Sequence, residues 1–208
     1  MAMKNHAYQS VIFDLGAVLV DWNPRYLYHK IFATPEETEY FLENICTSDW
    51  NEAQDAGRSL QDGTEWLVTQ HPQYEAQIRA FYGRWREMLA GPIPGTVQIL
   101  RQLKDSGQFK LYALTNWSNE TFPIALMEYE FLQWFDGIVV SGKEKIRKPQ
   151  PDFYQLLLDR YSVNKSSTIF IDDNLRNVQA AEAFGIESIL FESPAQLSTE
   201  LSQRGILN

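Results

Sequence analysis

The sequence predicts an α/β protein: a parallel sheet with helices on both faces, and a block of helices inserted after the first strand. Two observations carry this. From 94 to 191, short continuous apolar runs alternate with stretches of helical periodicity, the pattern of strands buried on both faces between crossover helices. From about 22 to 91, helix-start signals recur and no good strand is found.

The first apolar run, 10–13, is short and β-branched and stops at Asp14. It reads as a buried strand with a carboxylate at its C-terminal end. The insertion opens at Asn23-Pro24, a capping residue before a proline and a favoured helix start. Thr34-Pro35-Glu36-Glu37 adds a capping box, in which hydroxyl and carboxylate satisfy free amides reciprocally. Ser48 and Ser59 are further N-cap candidates, Gly57 suits a helix end, and 74–89 is a longer amphipathic stretch. Gly91-Pro92-Ile93-Pro94-Gly95 reads as the return hinge. Helical patterns at 94–106, 118–128, 151–161 and 174–184 then alternate with strand runs at 110–114, 137–140, 168–171 and 187–191. The expected organisation is a core of 1–21 and 92–208 with a helical cap of 22–91.

Composition narrows the function. A hydrophobic content of 44% is enough for a real core. The net charge of −9 is the wrong sign for a general nucleic-acid binder, whose affinity rests on Lys and Arg neutralising phosphates. It leaves room for a small phosphorylated ligand, because a metal ion and a few donors can reverse the potential inside one pocket. The single cysteine, Cys46, excludes an intramolecular disulfide and fits a reducing compartment. Residues 1–10 lack the apolar region of a secretory signal, and no run approaches a membrane span. The expectation is a cytoplasmic protein with no membrane partner.

In an open parallel sheet, ligands bind beyond the C-terminal strand ends, where strand order reverses. Those ends carry Asp14, then Thr115 and Asn116, then Asp172 and Asp173, with Lys148 on the loop after the third strand. A carboxylate, a hydroxyl, a lysine and an acidic pair are thus expected at one edge.

Four segments make the pattern specific. Val11-Ile12-Phe13-Asp14-Leu15-Gly16-Ala17-Val18 resembles the first motif of the haloacid dehalogenase superfamily. Leu111-Tyr112-Ala113-Leu114-Thr115-Asn116 resembles its second, Lys148-Pro149-Gln150-Pro151 its third, and Ile169-Phe170-Ile171-Asp172-Asp173-Asn174 its fourth. The resemblance implies a Rossmann-like core with a helical cap, and Asp14 as a nucleophile. In the phosphatase branch, that carboxylate attacks phosphorus and forms an aspartyl-phosphate, splitting one hard hydrolysis into two easier steps. It further implies Mg²⁺ held by Asp14, the Gly16 carbonyl and Asp173, with Asp172 as a water-mediated ligand or an acceptor behind it. Lys148 is expected to neutralise the transferring group. Thr115 and the amides of 116–118, Asn116 and Trp117 among them, are expected to hold phosphate oxygens. Trp22 and Trp117 are the aromatic candidates for a pocket wall; the other cap aromatics read as core.

Two positions depart from the family pattern. Most of its phosphatases carry an Asp two residues after the nucleophile, which protonates the leaving group; here that residue is Gly16. Acid–base help is worth roughly 10²–10⁴-fold, and Asp21 and Asn23 are the nearby candidates to replace it. The D-L-G-x-V form also resembles a sugar-phosphate phosphatase subgroup that includes glucose-1-phosphate phosphatases. The second departure is Asn177, where relatives often carry another Asp. Arg25 reads equally as a surface residue or as a reach toward a substrate anion, and His6, His29 and His71 show no ligand spacing. The expected function is a Mg²⁺-dependent phosphatase of small phosphorylated metabolites. A 2-haloacid dehalogenase using the same Asp, and a non-catalytic binding protein, are the alternatives.

Overall fold

A computed structural model describes residues 8–207; His6 and most of the 1–10 segment lie outside it. Five strands form one sheet: β1 (Ser10–Phe13) and four more after the insertion. In chain order, β1 runs into β2 (Val20–Trp22), α1 (Arg25–Tyr28), α2 (Pro35–Asn44), α3 (Ser48–Asp55), α4 (Leu60–Gln70), α5 (Glu75–Gly83) and β3 (Leu89–Pro92). The core resumes with α6 (Pro94–Ser106), β4 (Lys110–Thr115), α7 (Phe122–Glu128), β5 (Gly137–Val140) and α8 (Ser141–Glu144). It ends with α9 (Pro151–Tyr161), β6 (Thr168–Asp172), α10 (Leu175–Phe184), β7 (Glu187–Leu190) and α11 (Pro194–Gln203).

The sheet order is β5-β4-β1-β6-β7, and every pair in it is parallel. Strand order therefore reverses between β1 and β6, which is where a ligand crevice is expected. The two-residue alternation of the strands sorts the core into two faces. Val11, Phe13, Leu111, Ala113, Ile169 and Ile171 share one cluster with α6 and α11. Ile12, Tyr112, Leu114 and Phe170 share the other with Phe153, Tyr154 and Leu157 of α9 and Ala181 of α10. The first cluster continues into the inserted helices through Phe41, Trp50, Phe81 and Trp85.

Local signals explain most element ends. The capping box at Thr34 and Glu37 is formed, and Ser59 caps α4. Helix α3 starts one residue earlier than expected: Thr47, not Ser48, is the cap and accepts from the Trp50 amide. Gly57 takes φ +101 just past α3, a left-handed conformation that glycine adopts without a Cβ clash. The 74–89 stretch is not one helix. It is α5 flanked by short 3₁₀ turns at Pro72–Tyr74 and Trp85–Met88.

Two further differences correct the expectation. The insertion is entered and left through an antiparallel ribbon, β2 with β3, where only a hinge was expected. Its partners lie about seventy residues apart and are three and four residues long, so no local periodicity reveals them. The C-terminal helix α11 was not expected either, although Ser193-Pro194 supplies an N-cap and a first-turn proline. No helix among the described residues is long and apolar enough to cross a membrane.

Candidate active site

The site forms because adjacent parallel strands end in acids. Phe13 pairs with Ile171, and the Asp14 amide donates to the Ile171 carbonyl at 2.8 Å. Asp14 and Asp172 therefore leave β1 and β6 side by side at the point where strand order reverses.

Lys148 lies between them, fully buried. Its Nζ sits 2.9 Å from Asp14 Oδ1 and 2.7 Å from Asp172 Oδ2. Asn116 fixes the loop that delivers it: its Oδ1 accepts from the Lys148 amide at 2.9 Å and its Nδ2 donates to the Lys148 carbonyl at 3.0 Å. The Asn116 side chain is thus committed to positioning Lys148 rather than free for a ligand.

Asp172 is similarly committed. Besides Lys148 it accepts from the Asn174 amide at 2.8 Å and from Asn177 Nδ2 at 3.1 and 3.2 Å. Asn177 thus supports Asp172. Asp14 Oδ1 accepts from the Leu15 amide at 2.7 Å as well as from Lys148. Its Oδ2 has no protein partner among the described residues.

Asp14, Asp172 and Asp173 bring carboxylate oxygens within 4.8 Å of one another. An all-oxygen, anionic donor set suits a hard divalent cation such as Mg²⁺. Asp14 and Asp173 are the pair with capacity to spare, because Asp172 already holds three donors. The residues fit the cation that the sequence implied.

The charges are unbalanced in this pocket. Burial pushes the Asp14 carboxyl up to about 7, Lys148 opposing the rise and Asp172 and Asp173 adding to it. Burial and the Asp172 charge push Asp173 up to about 6. For Lys148, burial acts downward but Asp14 and Asp172 outweigh it, so its ammonium is held above the usual range. Two groups raised from an unfolded value near 3.9 favour folding below that pH and lose this contribution as pH rises through 6 and 7. In EDTA, melting temperature is therefore expected to be higher at pH 5 than at pH 7.5. Adding Mg²⁺ at pH 7.5 should narrow the gap. An EDTA melting profile that is flat or rises over this range would contradict these shifts.

Thr115, at the end of β4, buries a hydroxyl oxygen with no protein partner, a cost of about 1–3 kcal/mol unless a ligand uses it. The Trp117 amide, expected to hold phosphate, is engaged elsewhere: it donates to Ser141 Oγ at 2.9 Å. The Ser118 amide lies near the Asp55 carboxylate and favours its charged form.

A cavity of about 80 Å³, open to solvent, lies between the inserted helices and the strand ends. Gly16 lines it, with Trp22, Tyr82, Trp85 and Trp117 as aromatic walls and Asn51, Asp55 and Asn116 among its polar groups. Trp22 and Trp117 are thus wall residues, as expected. Trp85, read as core, also reaches the cavity and packs edge-on against Trp117 at 5.9 Å. Arg25 pairs with Glu39 on the surface instead. Asp21 accepts from Tyr26 and Asn23 from the Arg25 amide; neither lines the cavity, so neither stands in for the missing acid.

A Cβ built on Gly16 meets nothing within 4 Å, so the space above it is open. Asp55 faces the same cavity and was missed in the sequence. Its one signal is position: an acid at the last residue of a helix runs against the helix dipole.

A family model for haloacid dehalogenase-like hydrolases matches residues 8–185. The chain belongs to this family. A sesquiterpene phosphatase of Aspergillus oryzae is 30% identical over 197 residues, 94% of this chain and 96% of that protein. A phosphorylated carbohydrates phosphatase of Thermotoga maritima is 24% identical, covering 87% of this chain and 83% of that one. Among solved structures, a haloacid dehalogenase family enzyme of Bacteroides thetaiotaomicron in a magnesium complex superposes with a TM-score of 0.69 at 16% identity. That match covers 90% of this chain and 94% of the other. The chain is a hydrolase of this family with the five-stranded parallel core its relatives share.

Proposed function

We propose that the protein is a Mg²⁺-dependent phosphatase of small phosphorylated metabolites, acting through an aspartyl-phosphate on Asp14. The observation that carries this is Asp14 held by buried Lys148, with two more carboxylates within 4.8 Å. In a dehalogenase a cation would compete for the nucleophile, and a cluster able to bind one would serve no purpose.

Residues 22–91 would form the cap that closes over the site. Lys148 keeps Asp14 oriented through Oδ1, leaving Oδ2 to attack phosphorus. The Thr115 hydroxyl and the Asn116 backbone N–H would hold phosphoryl oxygens as charge grows on them. A divalent cation on Asp14, Asp173 and the Gly16 carbonyl would offset the repulsion between the phosphoryl group and the attacking carboxylate. Asp172 keeps Lys148 in place.

The aromatic walls favour an apolar or ring-shaped leaving group. A relative named for sesquiterpenes supports the first and a relative named for carbohydrates the second. The test is phosphate release from farnesyl phosphate, glucose 1-phosphate and phenyl phosphate, with Mg²⁺ and with EDTA, beside halide release from 2-chloropropionate. Release of phosphate only with Mg²⁺ is expected. Halide release that persists in EDTA, without phosphate release, would establish the dehalogenase reading instead.

A further inference from the structure

Gly16 leaves the leaving-group oxygen without the acid that the family's phosphatases place there, and the lining of the same cavity holds another acid. We propose that Asp55, carried in by the inserted helix α3, is the general acid and base of this enzyme. The assignment rests on the phosphatase reading of the site.

Three observations support it. First, Asp55 and Gly16 line one cavity, and the space over Gly16 is open. Second, Asp55 is held where core and insertion meet. Its carbonyl accepts from buried Ser141 Oγ at 2.5 Å and its Oδ2 from Asn51 Nδ2 at 3.0 Å. One turn earlier, Glu52 pairs with Arg147 and Arg176 of the core, each at 2.7 Å. These contacts fix the end of α3 against the loops that carry Trp117 and Lys148. Third, an acid at a helix C-terminus is locally unfavourable, which suits a residue retained for chemistry.

The surroundings also suit an acid that must give and retake a proton near neutrality. Burial and the Glu52 charge push Asp55 up to about 7, while the Ser118 amide and Arg147 act against the rise. The Tyr82 hydroxyl, on α5, lines the same cavity, donates to Asn51 Oδ1 at 2.9 Å and is itself pushed up, by burial first and also by the Asp55 charge.

The steps balance. Asp14 Oδ2 forms a bond to phosphorus as the phosphorus–oxygen bond to the leaving group breaks. The departing oxygen takes the proton of Asp55, giving a neutral alcohol and the Asp55 carboxylate. Water then attacks the aspartyl-phosphate, its proton passes to Asp55, and the bond from phosphorus to Asp14 breaks to release phosphate.

Leaving-group dependence tests this. Phenyl phosphate and 2,4-dinitrophenyl phosphate share a ring, but only phenoxide needs a proton to depart. In Asp55→Asn, kcat/KM with Mg²⁺ is expected to fall by about 10²–10⁴-fold for phenyl phosphate and by less than about tenfold for the dinitrophenyl ester. The ratio of the two within one preparation is independent of the folded fraction. An unchanged ratio overturns the proposal, whether both rates fall together or neither falls. Wild-type protein that hydrolyses neither ester overturns the phosphatase reading and this assignment with it.

Discussion

Asp14→Asn is expected to abolish phosphate release, lowering kcat by about 10⁴-fold or more, as removal of a covalent nucleophile does elsewhere. The change is nearly isosteric and should leave the fold intact. It removes the carboxylate that joins Lys148 to the strand-end crevice from the β1 side. The Leu15 amide can still donate to the Asn oxygen, so the loop that carries Gly16 keeps its anchor. Melting temperature in EDTA at pH 7.5 should be equal to or above that of wild type, because a charge raised to about 7 by burial has been taken away. Phosphate release within tenfold of wild type, from folded variant, would place the nucleophile elsewhere.

Lys148→Met is expected to cost stability as well as activity. The methionine fills most of the volume but leaves Asp14 and Asp172 buried together without a counter-ion. Breaking a buried pair on one side typically costs 3–5 kcal/mol, and about that is expected here at pH 8. The loss should shrink at pH 5. Without the lysine, Asp14 rises above its already raised value, so at pH 5 it is protonated and uncharged. Urea unfolding at the two pH values measures the difference. Equal stability of variant and wild type at pH 8 would mean that Lys148 holds no uncompensated pair together.

The sequence made the sheet legible because each core strand is a continuous apolar run with a polar residue at its end. Ser10–Phe13 and Gly137–Val140 match the expected strands residue for residue. Helices Pro94–Ser106 and Pro151–Tyr161 start at prolines and match as well. The ribbon of β2 and β3 was hidden because pairing between distant short segments leaves no periodic trace. The site divided in the same way. Asp14, Lys148, Asp172 and Asp173 were legible because strand ends converge at the reversal of strand order. The hydrogen bonds that hold them in place were not. Asn116 proved to clamp the Lys148 loop, and the Trp117 amide is taken by Ser141, which no spacing rule indicated. Asp55 was least visible, since its role depends on how the inserted helices sit over the core.

The proposed mechanism turns on a covalent phosphoryl intermediate on Asp14. The direct measurement is borohydride trapping during turnover of phenyl phosphate with Mg²⁺, followed by peptide mass spectrometry. An aspartyl-phosphate is reduced to homoserine, and the account predicts homoserine at position 14, dependent on both substrate and Mg²⁺. Homoserine at Asp173 or Asp55, or sustained phosphate release with position 14 unmodified, would contradict it.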